Sequence, residues 1–134
     1  MLRLIRRYTF SAGHRLSRAQ WDPERNRRVY GRCANPHGHG HNYTLWVAVS
    51  GKVDPASGMI ANLAELDRVV RRQVVDRLDH RFINDEIPDF RDRVPTSENL
   101  CRWIWSALQP AVPGRLATIT LQETDTNGFE YSGP

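Results

Sequence analysis

Residues 36–43 read "PHGHGHNY" and place His37, His39 and His41 at alternating positions. Neutral imidazole is the commonest metal-binding side chain. On a β-strand successive side chains point to opposite faces, so His39 and His41 project from one face, about 7 Å apart along the backbone. Two imidazoles placed this way can converge on one ion. His37 joins them only if the chain is extended from residue 37 onward, and Pro36 and Gly38 oppose that. A third ligand must then come from elsewhere, and His14 is the natural candidate. Three neutral histidines favour zinc among the first-row metals. They also leave one position open for water or substrate, as catalytic rather than structural sites do. Ligation by the Cys33 thiolate would instead close the site. An exposed strand whose imidazoles face water produces the same pattern, and spacing alone does not separate the two.

The elements that position these residues are legible as periodicities. Residues 2–14 alternate, with Leu4, Tyr8, Phe10, Ala12 and His14 on one side and Arg7, Thr9 and Ser11 on the other, which predicts a strand ending at His14. Residues 15–38 carry Pro23, Gly31, Pro36 and Gly38 with little periodicity and read as a long connecting loop, a length often associated with function. A second strand is predicted from His39 to Ser50. Leu63, Leu66, Val70, Val74 and Leu78 recur at helical steps, so residues 62–78 form an amphipathic helix with Asn62 as N-cap. Leu100, Trp103, Ile104, Ala107 and Leu108 mark a second helix, capped by Thr96 or Ser97 and stopped near Pro110. Residues 116–124 alternate as a strand with Ala117, Ile119, Leu121 and Glu123 on one face, and a short strand around Phe129–Tyr131 follows. This order indicates an α+β fold in which antiparallel sheet packs against helices. Glu123 therefore stands on an apolar face, where a carboxylate is costly unless paired. Either it has a partner, or the strand frays there and the group is solvated.

Length and composition narrow the function classes. The 134 residues suit one domain, 1–134, with a substantial core. No apolar run approaches the roughly 20 residues needed to span a bilayer, and the arginine-broken N-terminus is no signal peptide, so a cytoplasmic, soluble protein without a membrane partner is expected. Cys33 and Cys101 make no disulfide framework; Cys101 falls on a helical stripe and reads as a core residue. The net charge of +4 is compatible with an anionic small substrate. A nucleic-acid partner is not expected, because the four tryptophans are scattered rather than interleaved with a basic stripe.

Six segments in order, "FSAGHRL" (10–16), "YGRCANPHGHGHNY" (30–43), "SGKVDPASGMIANL" (50–63), "LDHRFIN" (78–84), "PTSENL" (95–100) and "QET" (122–124), resemble the 6-pyruvoyl-tetrahydropterin synthase family, which includes the 6-carboxy-tetrahydropterin synthases of queuosine biosynthesis. The likeness runs from about residue 3 to 132. It implies a tunnelling fold: a four-stranded antiparallel sheet with two helices on one face, three subunits closing a barrel, and two trimers stacking as a homo-hexamer with active sites at subunit interfaces. It implies a zinc ion on His14, His39 and His41, leaving His37 out. It implies that Cys33 is the catalytic base and that Asp79 and His80 form a proton relay. Glu123 would grip the N–H edge of a pterin ring, with Thr96, Ser97 and Glu98 contributing polar contacts.

The bland alternatives are a helix-terminal histidine for Asp79–His80 and a simple helix cap for residues 96–98. The implied activity is a zinc-dependent lyase acting on 7,8-dihydroneopterin triphosphate, with loss of triphosphate. The Cys33-to-His39 spacing and "GMIANL" look like the pyruvoyl-forming branch, although carboxy-forming relatives share the longer spacing. A folate-linked branch that replaces the cysteine with glutamate fits less well. A non-catalytic metal-binding oligomer on the same scaffold would keep the three histidines but has no reason to keep Cys33, Asp79, His80 and Glu123 together.

Overall fold

The computed structural model describes all of residues 1–134. Strand β1 (Arg3–His14) pairs antiparallel with β2 (His39–Ser50) along its whole length, from Arg3 opposite Ser50 to His14 opposite His39. Strands β4 (Arg115–Thr124) and β5 (Asn127–Tyr131) extend the sheet antiparallel from β2. The sheet order is β3-β1-β2-β4-β5. The fifth strand, β3 (Arg81–Phe82), corrects the expected count of four. Its two residues run parallel to Ala12 and Gly13 of β1, too short a segment for alternation to reveal.

The inner face of the sheet carries Tyr8, Phe10, Tyr43, Leu45, Val47, Ile119 and Leu121, all in one core of 25 buried residues. Helix α2 (Leu63–Val70) runs on through a π-helical stretch (Arg71–Val75) into α3 (Asp76–Leu78), and it buries Leu66, Val70, Val74 and Leu78 completely. The Asn62 side chain caps it by accepting from Glu65 N. After a short α4 (Ile83–Glu86), helix α5 (Ser97–Leu108) adds Leu100, Ile104 and Leu108, each fully buried. Truncating any of these to alanine would cost about 2–5 kcal/mol. No helix is long and apolar enough to cross a membrane.

Two further expectations change. The 15–38 connection is not all loop: it contains helix α1 (Pro23–Tyr30) followed by a 3₁₀ turn (Gly31–Ala34). That helix is almost wholly polar, so it has no apolar stripe to detect. Its signal lay in the cap, where Asp22 accepts from Arg25 N at 2.7 Å with Pro23 in the first turn. In β4, the register against β2 slips so that Ala48 faces Thr118 and Val49 faces Leu116. Ala117 is the extra residue of a β-bulge, and Leu116 takes the buried position expected for Ala117. A second irregularity toward β5 skips Glu123, since Gln122 pairs with Gly128 and Thr124 with Asn127.

Candidate metal centre and substrate site

One end of the sheet gathers the chemistry. The β1–β2 register sets His14 opposite His39 and one step from His41, which faces Ala12. Alternation then turns all three imidazoles to the inner face. Their ring centroids are 4.7–5.2 Å apart. His37 stands apart and exposed, in a turn where its N–H donates to Asn35 Oδ1. Gly38 makes the bend with φ +69°; a side chain there would meet Phe82 at 2.7 Å and the His14 carbonyl oxygen at 2.9 Å. The chain is therefore not extended from residue 37.

Cys33 reaches the same place from the 3₁₀ turn. Its carbonyl accepts from Leu16 N at 2.7 Å, which pins the turn two residues beyond His14. The ligand atoms of His14, Cys33, His39 and His41 all lie within 4.8 Å of one another.

Hydrogen bonding fixes which nitrogens are free. His14 is fully buried, and its Nδ1 lies 2.9 Å from the Pro95 carbonyl. A carbonyl only accepts, so Nδ1 carries the proton and Nε2 presents a lone pair. That Nε2 is 3.1 Å from His41 Nε2. Two nitrogens bound to a tetrahedral zinc at about 2.0–2.1 Å would lie about 3.3 Å apart, close to this spacing. His39 Nε2 is buried with no partner in the protein. Such an orphaned atom is costly unless something outside the chain satisfies it. Burial, partly opposed by the Pro95 bond for His14 and by Glu123 for His41, holds both imidazoles below their ordinary range and so neutral at pH 7, as ligation needs. The donor set fits a first-row cation.

Glu123 borders this cluster from β4. The bulge leaves it outside the β5 ladder, and its carboxylate finds two neighbours: Ser97 Oγ donates to Oε2, and His41 Nε2 lies 3.6 Å from Oε1. The strand does not fray there, and the side chain is only 12% exposed. Of the three residues expected beside it, only Ser97 touches it. Thr96 caps α5 by accepting from Asn99 N, and Glu98 is exposed in the first turn of that helix.

Burial, reinforced by Glu123, pushes the Cys33 thiol up. The same causes, with Cys33 added, raise Tyr43, whose hydroxyl is buried and unpartnered two residues beyond His41. Tyr43 went unnoticed in the sequence, though the alternation from His41 already put it on the metal face.

Asp79 and His80 do not join the cluster within one chain. Asp79 Oδ1 accepts from Ser11 N at 2.8 Å, and Oδ2 lies 3.0 Å from His80 Nδ1. The Ser11 bond and then His80 hold the Asp79 carboxyl below its ordinary range. His80 adopts φ +60° and its side chain is 83% exposed. It borders a groove of about 340 Å³ with Ser11, Gly13, Gly40, Asn42 and Phe82. Gly40 and Asn42 alternate with His39 and His41, so this groove opens on the outer face of the sheet.

A family model described as 6-pyruvoyl tetrahydropterin synthase matches residues 3–134. The 6-pyruvoyl tetrahydrobiopterin synthases of Pongo abelii and Homo sapiens are each 43% identical over 129 residues, 96% of this chain and 89% of theirs. The solved structure of Caenorhabditis elegans 6-pyruvoyl tetrahydropterin synthase matches with a TM-score of 0.93 at 36% identity, over 99% of this chain and 96% of that one.

Proposed function

The chain belongs to the 6-pyruvoyl tetrahydropterin synthase family, and from that premise we propose that it is a zinc-dependent lyase converting 7,8-dihydroneopterin triphosphate to 6-pyruvoyl-tetrahydropterin with loss of triphosphate. The observation that carries the reading is the convergence of three inward imidazoles, one thiol and one serine-bound carboxylate at a single end of the sheet. The pyruvoyl branch is favoured over the carboxy branch by the names of the 43% identical relatives.

His14, His39 and His41 would hold the zinc, with Pro95 orienting His14. Bound there, the ion supplies Lewis-acid stabilisation of enolate-like charge on the substrate's side chain. Glu123, already fixed by Ser97, accepts from the N–H edge of the pterin and sets the ring's position. Cys33 is the base that takes a proton from the side-chain carbon bearing a hydroxyl. Burial and Glu123 push this thiol up, and a cation held by the three imidazoles would lower it.

Asp79 and His80 supply the proton relay from a second copy. The ionised carboxylate holds the proton on His80 Nδ1, leaving Nε2 bare to exchange. What supports their arrival from a neighbour is their place at the β3 edge beside an outer-face groove, with His80 almost fully exposed. Both edges of the sheet are available for such assembly, because β3 covers only Ala12 and Gly13 of β1, and β5 has no further neighbour. A barrel of three copies, doubled to a hexamer, accounts for these open edges.

The test is to incubate zinc-loaded protein with 7,8-dihydroneopterin triphosphate and identify the products by mass. A 6-pyruvoyl product with free triphosphate is expected. A 6-carboxy product moves the chain to the other branch, and unreacted substrate removes the activity.

A further inference from the structure

Beyond the end of β1 the chain walls a cleft of about 470 Å³, lined by none of the histidines, Cys33 or Glu123. One wall is Ser17–Gln20, the other Arg91–Val94, with Asn84 between them. We propose that this cleft is a seat for a linear polyphosphate, held by Arg18, Arg91 and Arg93. Resting on the function proposed above, its natural occupant is the triphosphate tail of the substrate.

Three observations carry this. The first is order along the sheet. Glu123 lies on β4, His39 and His41 on β2, and His14 on β1, and these strands are consecutive neighbours. With strands about 4.8 Å apart, a ring gripped at Glu123 and a side chain laid over the histidines point past β1. The cleft is lined from Ser17, three residues beyond His14 where β1 ends, and by Asn84, just after β3, the strand that flanks β1 at that level. It is also rigidly tied to the metal cluster. Asn84 accepts from Arg15 N and donates to Arg15 O, both at 2.8 Å, and Pro95, next to the Arg91–Val94 wall, supplies the carbonyl that orients His14.

The second is that the cations are uncommitted. Arg6 and Arg81 form carboxylate pairs, at 2.8 and 3.2 Å, but Arg18, Arg91 and Arg93 form none, although Asp92 lines the same cleft. Arg18 has only the face of Trp21, at 5.6 Å. Three unpaired guanidinium groups in a concavity match the planar, two-pronged recognition of phosphate oxygens.

The third is where the chain's charge sits. Residues 15–38 contain six arginines and two acids, Asp22 and Glu24. That surplus equals the net +4 of the entire chain; of the six only Arg18 lines the cleft, and the others add to the positive field of the excursion that forms one of its walls.

The experiment titrates zinc-loaded and metal-free protein with inorganic tripolyphosphate by calorimetry, for the wild type and for Arg18→Ala/Arg93→Ala. Running both metal states separates occupation of the cleft from chelation of zinc, because the seat needs no metal. Saturable binding by the wild type in both states is expected, weakened at least about tenfold in the variant. The KM for 7,8-dihydroneopterin triphosphate should rise by about tenfold or more, while affinity for unphosphorylated 7,8-dihydroneopterin stays as it was. Absence of tripolyphosphate binding in the metal-free wild type, an unchanged KM in the variant, or an equal loss for the unphosphorylated pterin would each overturn the proposal. Tripolyphosphate binding without any turnover would instead remove the enzymatic reading and leave the anion seat standing.

Discussion

Replacing Glu123 by glutamine keeps the shape of the side chain and removes one acceptor oxygen together with the charge. In the structure Oε2 is occupied by the Ser97 hydroxyl, and Oε1 lies 3.6 Å from His41 Nε2. A pterin N–H edge presents donors only, so the glutamine NH₂ sets a donor against a donor. A hydrogen bond to a charged group contributes about 1.5–3 kcal/mol, so losing one and opposing another amounts to about 3 kcal/mol. That corresponds to about a hundredfold fall in kcat/KM. The fold should survive, because the Ser97 hydroxyl can bond to an amide as readily as to a carboxylate. Steady-state kinetics, equilibrium binding of 7,8-dihydroneopterin and thermal unfolding of the same preparation make the test. A variant within threefold of wild type in kcat/KM would refute the placement of the ring at Glu123. A large drop in melting temperature would show that the carboxylate is needed for Ser97 and the fold rather than for substrate.

Gly38→Ala should destabilise the protein by about 3 kcal/mol, combining a left-handed backbone with contacts against Phe82 and the unyielding His14 carbonyl; denaturant unfolding checks this, and a loss below 1 kcal/mol would mean the bend can relax. Asp67 ties α2 to β1 through Arg6 Nη2 at 2.8 Å and Tyr8 Oη at 2.8 Å, chiefly the Arg6 bond holding its pKa at about 2. Because the folded-state value is depressed, its contribution is complete above the unfolded carboxyl value near 4 and fades as pH falls toward 2. The stability gap between wild type and Asp67→Ala should accordingly be wide at pH 7 and narrow at pH 2.5, measured by urea midpoints; a constant gap would sink the assignment.

Alternation and helical spacing revealed whatever repeats locally. Strand β2 occupies His39–Ser50 as its periodicity indicates, and the helix beginning after Asn62 reaches Leu78 despite the π-helical stretch inside it. What escaped depends on partners distant in sequence or on polar segments without a stripe. Helix α1 is announced only by Asp22 and Pro23. The bulge at Ala117 exists because β4 must keep register with β2, which no reading of β4 alone can show. For the site, the H-x-H spacing and the strand end at His14 were legible. The Pro95 carbonyl, the Asn84 clamp on Arg15 and the outward position of His80 arise from chain crossings 68–81 residues apart or from the sheet edge, and the sequence carries no local mark of them.

Metal content measured beside turnover bears most directly on the division of labour between the imidazoles and the thiol. Purified Cys33→Ala should retain one zinc per chain and lose turnover of 7,8-dihydroneopterin triphosphate, whereas His39→Ala should lose both. Zinc lost from Cys33→Ala would make the sulfur a fourth ligand of a closed site. Undiminished turnover in that variant would contradict the account outright.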